Sequence, residues 1–543
     1  MKPVIRILIA ATALSTTGAF AQQSGKDSIM KGSTIEVMQK YKPRVRKTQK
    51  PEWMPQLPPK DTVIPSLNYE VPQQTLYYSF TSGQLQPLAL GMDSVVEPYR
   101  NYIKAGLGNI STLYFDAGIG ALRGAKYETD FHIHHLSQNS SSNFRQVIMS
   151  GIEGEGKFDL SGGKKLHATA VFERNQFSMN DNFENSIPNK PSFTYSTIGA
   201  SADMATKFTL SGKEINTHPL IELSSSGNSN LRGTDFTIFA PFTHNFSDNI
   251  EFGVDALVST EMYSSSLAGG FSSKANSLLS LTPGMKYVQG DITATGKLSL
   301  ATAYNGNSYI LPQVGINYNL KDPELRLIAG WSSSIDQNKY CSIHEFNPYV
   351  GDAYSVIQNR KDELYAGVAG HYQSHITYGV NLKYSSNSAL PVYAYSMMFQ
   401  PHYLMVADKV SYFGLNIQGR YNNSDKWSGG FNMQFNQFYK GTYSNPFGLP
   451  MVDLKGDVTV KVLPELVVSG YINMLGGLHS LNENGTDISL PVIFEPGVYA
   501  EYSFAKRFGA FLQCNNLLNS KYQRWYGYTS YGINIYGGVR LKF

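Results

Sequence analysis

The last residues of the chain, Tyr531 to Phe543, read YGINIYGGVRLKF, with Ile533, Ile535, Gly537, Val539, Leu541 and Phe543 alternating with Asn534, Tyr536, Gly538, Arg540 and Lys542. A strand sends successive side chains to opposite faces, so this segment has one apolar face and one polar face. In a water-soluble sheet the apolar face needs a second protein layer. In a closed membrane barrel lipid covers it, and the polar face lines the lumen. The same alternation recurs upstream. Ile152, Gly154, Gly156, Phe158 and Leu160 oppose Glu153, Glu155, Lys157 and Asp159, and Ile376, Tyr378, Val380, Leu382 and Tyr384 oppose Thr377, Asn381 and Lys383. Phe413, Leu415, Ile417 and Tyr421 oppose Asn416, Gln418 and Arg420, while Leu454, Val458, Val460 and Val462 oppose Asp453, Lys455, Asp457, Thr459 and Lys461.

Two kinds of connection join these segments. Short clusters of Gly, Pro, Asn, Asp and Ser fall at Leu122–Lys126, Ser161–Lys164, Ser211–Lys213, Ser247–Asn249, Gln289–Asp291, Lys321–Glu324, Gln373–His375, Asn422–Asp425, Leu463–Glu465 and Ala505–Arg507, and have hairpin length. Longer connections lie between them. With two free ends, these turns imply about 22 strands, an even number, with short periplasmic turns and longer extracellular loops. The expected fold is all-β: a transmembrane antiparallel β-barrel over residues 99–543. Charged residues at 16% and aromatics at 13% suit strands in lipid.

Residues 1–21 read as a secretory signal: Lys2 and Arg6, an apolar run from Ile7 to Leu14, then Ala19-Phe20-Ala21 with cleavage after Ala21. The run is shorter than the ~18 residues of a spanning helix. Residues 22–98 differ in composition from the strand-rich region. Lys40, Lys42, Arg44, Arg46, Lys47, Lys50 and Lys60 face only Glu52 in a proline-crowded stretch, which is expected to be extended in the periplasm, as a linker or a docking segment. Lys42, Arg44, Arg46 and Lys47 are its candidate docking residues. Cys341, on a long loop, and Cys514, on the outer face of a strand, are expected to be unpaired. The net charge of +4 is spread thinly and implies no nucleic-acid partner.

Asn515-Asn-Leu-Leu-Asn-Ser-Lys-Tyr522, followed by Trp525-Tyr526 and the terminal strand, resembles the closing hairpin of TonB-dependent receptors, which ends on an aromatic residue; Thr529-Ser-Tyr-Gly-Ile533 departs from the P-G-R that would stand there. The resemblance implies an outer-membrane barrel of a Gram-negative bacterium, and a partner in the barrel-assembly machinery that reads Phe543, with Leu541, Val539 and Tyr536 in the same strand. It also implies a plug of ~130 residues before the barrel, whereas residues 22–98 are too short and too proline-rich to supply one. Ile35-Glu-Val-Met-Gln-Lys-Tyr-Lys-Pro-Arg-Val45, together with Tyr102-Ile-Lys-Ala-Gly-Leu-Gly-Asn109, also resembles a group of plugless receptor-like barrels of Gram-negative bacteria.

Chemistry is sparse. His132 and His134 share a lumen face with Glu128 and Asp130, but same-face neighbours sit ~7 Å apart and no third-strand ligand is evident, so a polar wall is the expectation rather than a metal site. No G-x-S-x-G is present, and no enzyme or cofactor is expected. Lumen charges are mixed: Lys383, Arg420, Lys461, Arg540 and Lys542 against Glu153, Glu155, Asp159, Asp453 and Asp457, so no single-sign ring selects an ion. Ser386 to Asp408, with Tyr393, Tyr395, Met397, Met398, Phe399 and Tyr403, is too apolar for a solvated loop. It is a strand extension, an inward constriction or a partner patch. On sequence alone the leading function is a subunit or scaffold of an outer-membrane complex, and the alternative is an uptake channel of the TonB-dependent receptor type without its own plug.

Overall fold

The computed structural model describes residues 101–543 apart from 125, 141–144, 179–191, 229, 266–274, 321–323, 352–356, 374, 397–402, 424–425 and 440. The signal sequence and the basic segment with Lys42, Arg44, Arg46 and Lys47 lie outside the described residues.

Each long strand pairs antiparallel with its neighbours in sequence, from Tyr102–Gly108 to Asn534–Lys542, and these two pair with each other over Tyr102↔Lys542 to Gly108↔Tyr536. The sheet is therefore a closed barrel. Lys213–Thr217 and Leu220–Gly227 keep one register against Ser192–Leu210 and are two halves of one position, interrupted where Pro219 has no N–H to give the ladder. The 23 segments of the sheet thus occupy 22 strand positions. The first strand begins at Tyr102, a few residues after the expected boundary.

The faces follow the alternation. Ile152, Leu382, Val460, Val462 and Val539 are among the exposed large hydrophobics on the lipid side, whereas Asp116, Glu222, Asp235, Glu261 and Arg540 are buried on the lumen side. At one end the connections are tight: Ser211 and Gly212 both have positive φ, 51° and 77°, the backbone of a two-residue hairpin turn. At the other end stand the long loops. The chain's last residue, Phe543, lies at the tight-turn end, where its N–H donates to the Asn101 carbonyl at 3.0 Å, an ordinary ladder distance.

Amides lock the seam between the first and last strands. Asn534 donates to Asn109 and Thr112, both at 3.0 Å, and accepts from Gln138 at 3.1 Å and Asn515 at 3.2 Å. Nearer the periplasm, Lys104 lies 3.1 Å from Glu501, which also pairs with Arg540.

Candidate functional site

Among the described residues, several of the long connections fold across the mouth of the barrel. The connection 337–358, between the strands Leu325–Asp336 and Asn359–Tyr372, contains a short helix, α1 (Tyr340–Phe346), and its approach to the barrel wall is built from buried polar bonds. Asn276 donates to the Gln337 carbonyl at 2.7 Å, and Gln337 returns a bond to the Asn276 carbonyl at 3.0 Å. Lys339 Nζ sits 2.7 Å from Asp235 and donates to Thr237 Oγ1 at 3.1 Å, with both ends of the ion pair buried. A helix start leaves N–H groups without partners. Lys339 offers no side-chain cap, and the Glu261 carboxylate of the wall fills that role by accepting the Tyr340 N–H at 2.9 Å.

Three hairpins from other connections meet α1 across the mouth. Leu390–Tyr395 and Tyr403–Asp408 form a hairpin, as do His479–Leu481 with Asp487–Ser489 and Gln523–Trp525 with Tyr528–Thr529. Backbone bonds stitch them together: Gly351 N–H to the Tyr403 carbonyl at 2.8 Å, Tyr393 N–H to the Phe447 carbonyl at 3.0 Å and Gly448 N–H to the His479 carbonyl at 2.9 Å. Between them is one aromatic core. Tyr349 stacks on Tyr528 with ring centroids 3.6 Å apart, and Trp525 lies edge-on to Tyr393 and Tyr403 at 5.5 and 5.3 Å. Tyr340, Ile343, Val350, Tyr395 and Met405 are buried in the same cluster.

In Ser386–Asp408, Tyr393, Tyr395 and Tyr403 are buried in this cluster rather than exposed. Met397, Met398 and Phe399 lie outside the described residues.

Beside the cap is a cavity of ≈350 Å³ lined by Gln138, Tyr349, Asn515, Asn516, Tyr522, Arg524, Trp525 and Tyr528, among others. Arg524 stacks on Trp525, 4.3 Å from its ring centroid, and donates from Nη2 to the Gly448 carbonyl at 2.9 Å. Its Nη1 has no hydrogen-bond partner among the described residues, and burial pulls the guanidinium down to about 10.

The closing-hairpin motif has a structural cause. Asn516 and Asn519 both adopt left-handed backbone, φ 51° and 52°, which Asn tolerates better than most residues. Asn516 bridges the carbonyls of Ser520 and Tyr531 at 2.7 and 3.0 Å, and Asn519 accepts the Ile533 N–H at 2.8 Å. Of the four terminal-strand residues, Val539, Leu541 and Phe543 share the lipid-side parity. Tyr536 does not: it is buried in the lumen, 5.3 Å from the Tyr114 ring, because its even position shares a face with Arg540.

His132 and His134 face the lumen as expected, their rings 5.6 Å apart. A carboxylate from a neighbouring strand faces them: register places Glu153 directly opposite His132. Cys341 and Cys514 are both free. The lumen charges largely pair off, Arg420 with Asp457 at 3.2 Å and Lys383 with Glu363 at 3.6 Å.

The iron transporter FrpB of Neisseria meningitidis superposes on 82% of this chain and 81% of its own with a TM-score of 0.60 at 9% identity. The fold is that of a TonB-dependent receptor barrel. The siderophore receptor PiuA of Acinetobacter baumannii matches 82% of each chain with a TM-score of 0.57 at 11% identity. The ferripyoverdine receptor of Pseudomonas aeruginosa matches 82% of this chain and 72% of its own, at 0.58 and 13%. No protein-family profile and no curated protein matches the sequence. These neighbours are outer-membrane receptors and transporters, not enzymes, and at such identity the likeness to TonB-dependent receptors is one of fold.

Proposed function

We propose that the chain is an outer-membrane uptake receptor of the TonB-dependent receptor type, whose extracellular mouth is closed by its own loops. The observation that carries this reading is the stitched cap. A barrel of 22 strand positions is wide enough to leave a hole, and here α1 and three hairpins meet across one end of it around a shared aromatic core. Neighbours described as an iron transporter and as siderophore receptors support uptake over the scaffold role that ranks first on sequence alone. The cavity suggests the ligand chemistry: flat faces for Tyr349, Trp525 and Tyr528, hydrogen-bonding groups for Gln138, Asn515 and Asn516, and an anionic group for Arg524 Nη1.

Planar lipid bilayers test the closure. The full-length protein is expected to be nearly silent, and deletion of residues 390–408 to give step conductances. Deletion of residues 22–97 is expected to leave the silence intact. A large steady conductance from the intact protein overturns the reading, and so does a pore opened by the 22–97 deletion alone, which would place the block in the N-terminal segment.

A further inference from the structure

Below the cap, the lumen face of Tyr127–Ser140 presents two imidazoles to carboxylates on both neighbouring strands. Register puts Asp116 across from His134 on one side and Glu153 across from His132 on the other. The remaining cross-strand positions are Gly118 opposite His132 and Gly151 opposite His134. Gly151 is the space in which the His134 ring lies, since a Cβ there would come within 2.4 Å of His134 Cε1.

The two rings differ in how they are held. His132 Nε2 is 3.1 Å from Asp116 Oδ2, and its Nδ1 is 3.8 Å from Glu153 Oε2. His134 Nδ1 is buried and has no hydrogen-bond partner among the described residues. One ligand atom from each of His132, His134 and Glu153 lies within 4.8 Å of the other two. A metal bound at about 2.0–2.2 Å would draw such donors to about 3.3 Å from one another, a contraction within the reach of side-chain rotation.

We propose that His132, His134 and Glu153 bind a divalent transition metal of the zinc class on the lumen wall, with Asp116 orienting His132. The division of labour follows from the two nitrogens of His132. A proton on Nε2 donated to Asp116 leaves the Nδ1 lone pair free to ligate a metal that Glu153 would also ligate, the carboxylate–histidine–metal arrangement common around bound zinc. An ion pair of His132 with its two carboxylates accounts for His132 but leaves the His134 nitrogen without a role. Two imidazoles with one carboxylate favour zinc, copper or nickel over calcium or magnesium, which take oxygen ligands. Three protein ligands leave a fourth position open to the lumen.

Calorimetric titration of the detergent-purified, metal-stripped full-length protein with zinc tests this, with cobalt absorption as a report on coordination geometry. One high-affinity equivalent is expected. His134→Ala and Glu153→Gln are expected to abolish it, and Asp116→Asn to weaken it by about 10–100-fold. His375→Ala, at a turn on the periplasmic end, is expected to bind as the parent does. Each variant is first shown to run as a folded, heat-modifiable barrel; where His134→Ala does not fold, His134→Gln replaces it. Failure of the parent protein to bind zinc overturns the proposal, as does unchanged affinity in the folded His134 and Glu153 variants. Because the readout is binding, neither result depends on whether the barrel transports a ligand.

Discussion

Lys339 carries a charge into the mouth of the barrel and meets Asp235 there, with Glu222 and Glu261 buried nearby on the same wall. Removing one member of a buried ion pair leaves the other desolvated and unpaired, a loss of about 3–5 kcal/mol. Lys339→Met is therefore expected to release α1 from the wall, seen as proteolytic nicking within 337–358 and new bilayer conductance; a variant as resistant and silent as the parent would show that the aromatic core alone holds the cap. Cys341, half-buried on α1, gives a second handle. Burial, and then the Glu345 carboxylate, push its thiol up to about 12. With Cys514→Ser in place, maleimide labelling of the native protein is expected to keep accelerating above about pH 10, where an ordinary thiol of pKa about 8.5 has levelled off. A plateau by about pH 10 would mean that the thiol sits in water. The partners in these contacts were only partly legible in sequence. Glu153 and His132 each reveal a lumen face by alternation, but which residue stands opposite which depends on the connection at 141–144, whose length in the ladder the pattern does not fix.

At the scale of elements, strands were the legible part, because lipid on one side and water on the other force the alternation that sequence shows directly. The cap was not. α1 is too short to show periodicity and has no acidic residue in its first turn, so its start is held by Glu261, nearly eighty positions upstream. The segment 390–408 was marked in sequence by apolar content that a solvated loop lacks, but that content fits a strand extension, a constriction or a partner patch alike, because burial against other loops leaves no periodic signal. The closing hairpin was recognisable by resemblance, and Asn516 and Asn519 now explain it through backbone conformation. Left-handed backbone costs most residues roughly 1–2 kcal/mol that Gly does not incur. Asn519→Gly is thus expected to lose only the bond to Ile533, while Asn519→Ala loses both bond and conformation. The temperature at which the folded gel band disappears should fall in the order parent, Gly variant, Ala variant; equal values for the two variants would remove the conformational part of this account.

For the whole molecule, closure leaves no sheet edge in lipid. The intact protein is expected to migrate anomalously on a gel until boiled and to fractionate with the outer membrane; recovery from the soluble periplasm would overturn the membrane barrel. The strand number was readable from turn spacing alone, since each tight turn marks one return to the periplasmic side. Absence of a plug domain, by contrast, concerns residues outside the described ones and stays an expectation. Across the seam, the Asn534 to Asn109 bond joins positions 425 apart in the chain, while most other strand pairings join neighbours in sequence. Every pairing but the seam joins consecutive strand positions, and none of those pairings alone closes the ring. A chain that stops short of Asn534–Lys542 therefore leaves Tyr102–Gly108 without its partner and keeps two raw edges, so completing the last strand is the condition for sealing the ring in lipid.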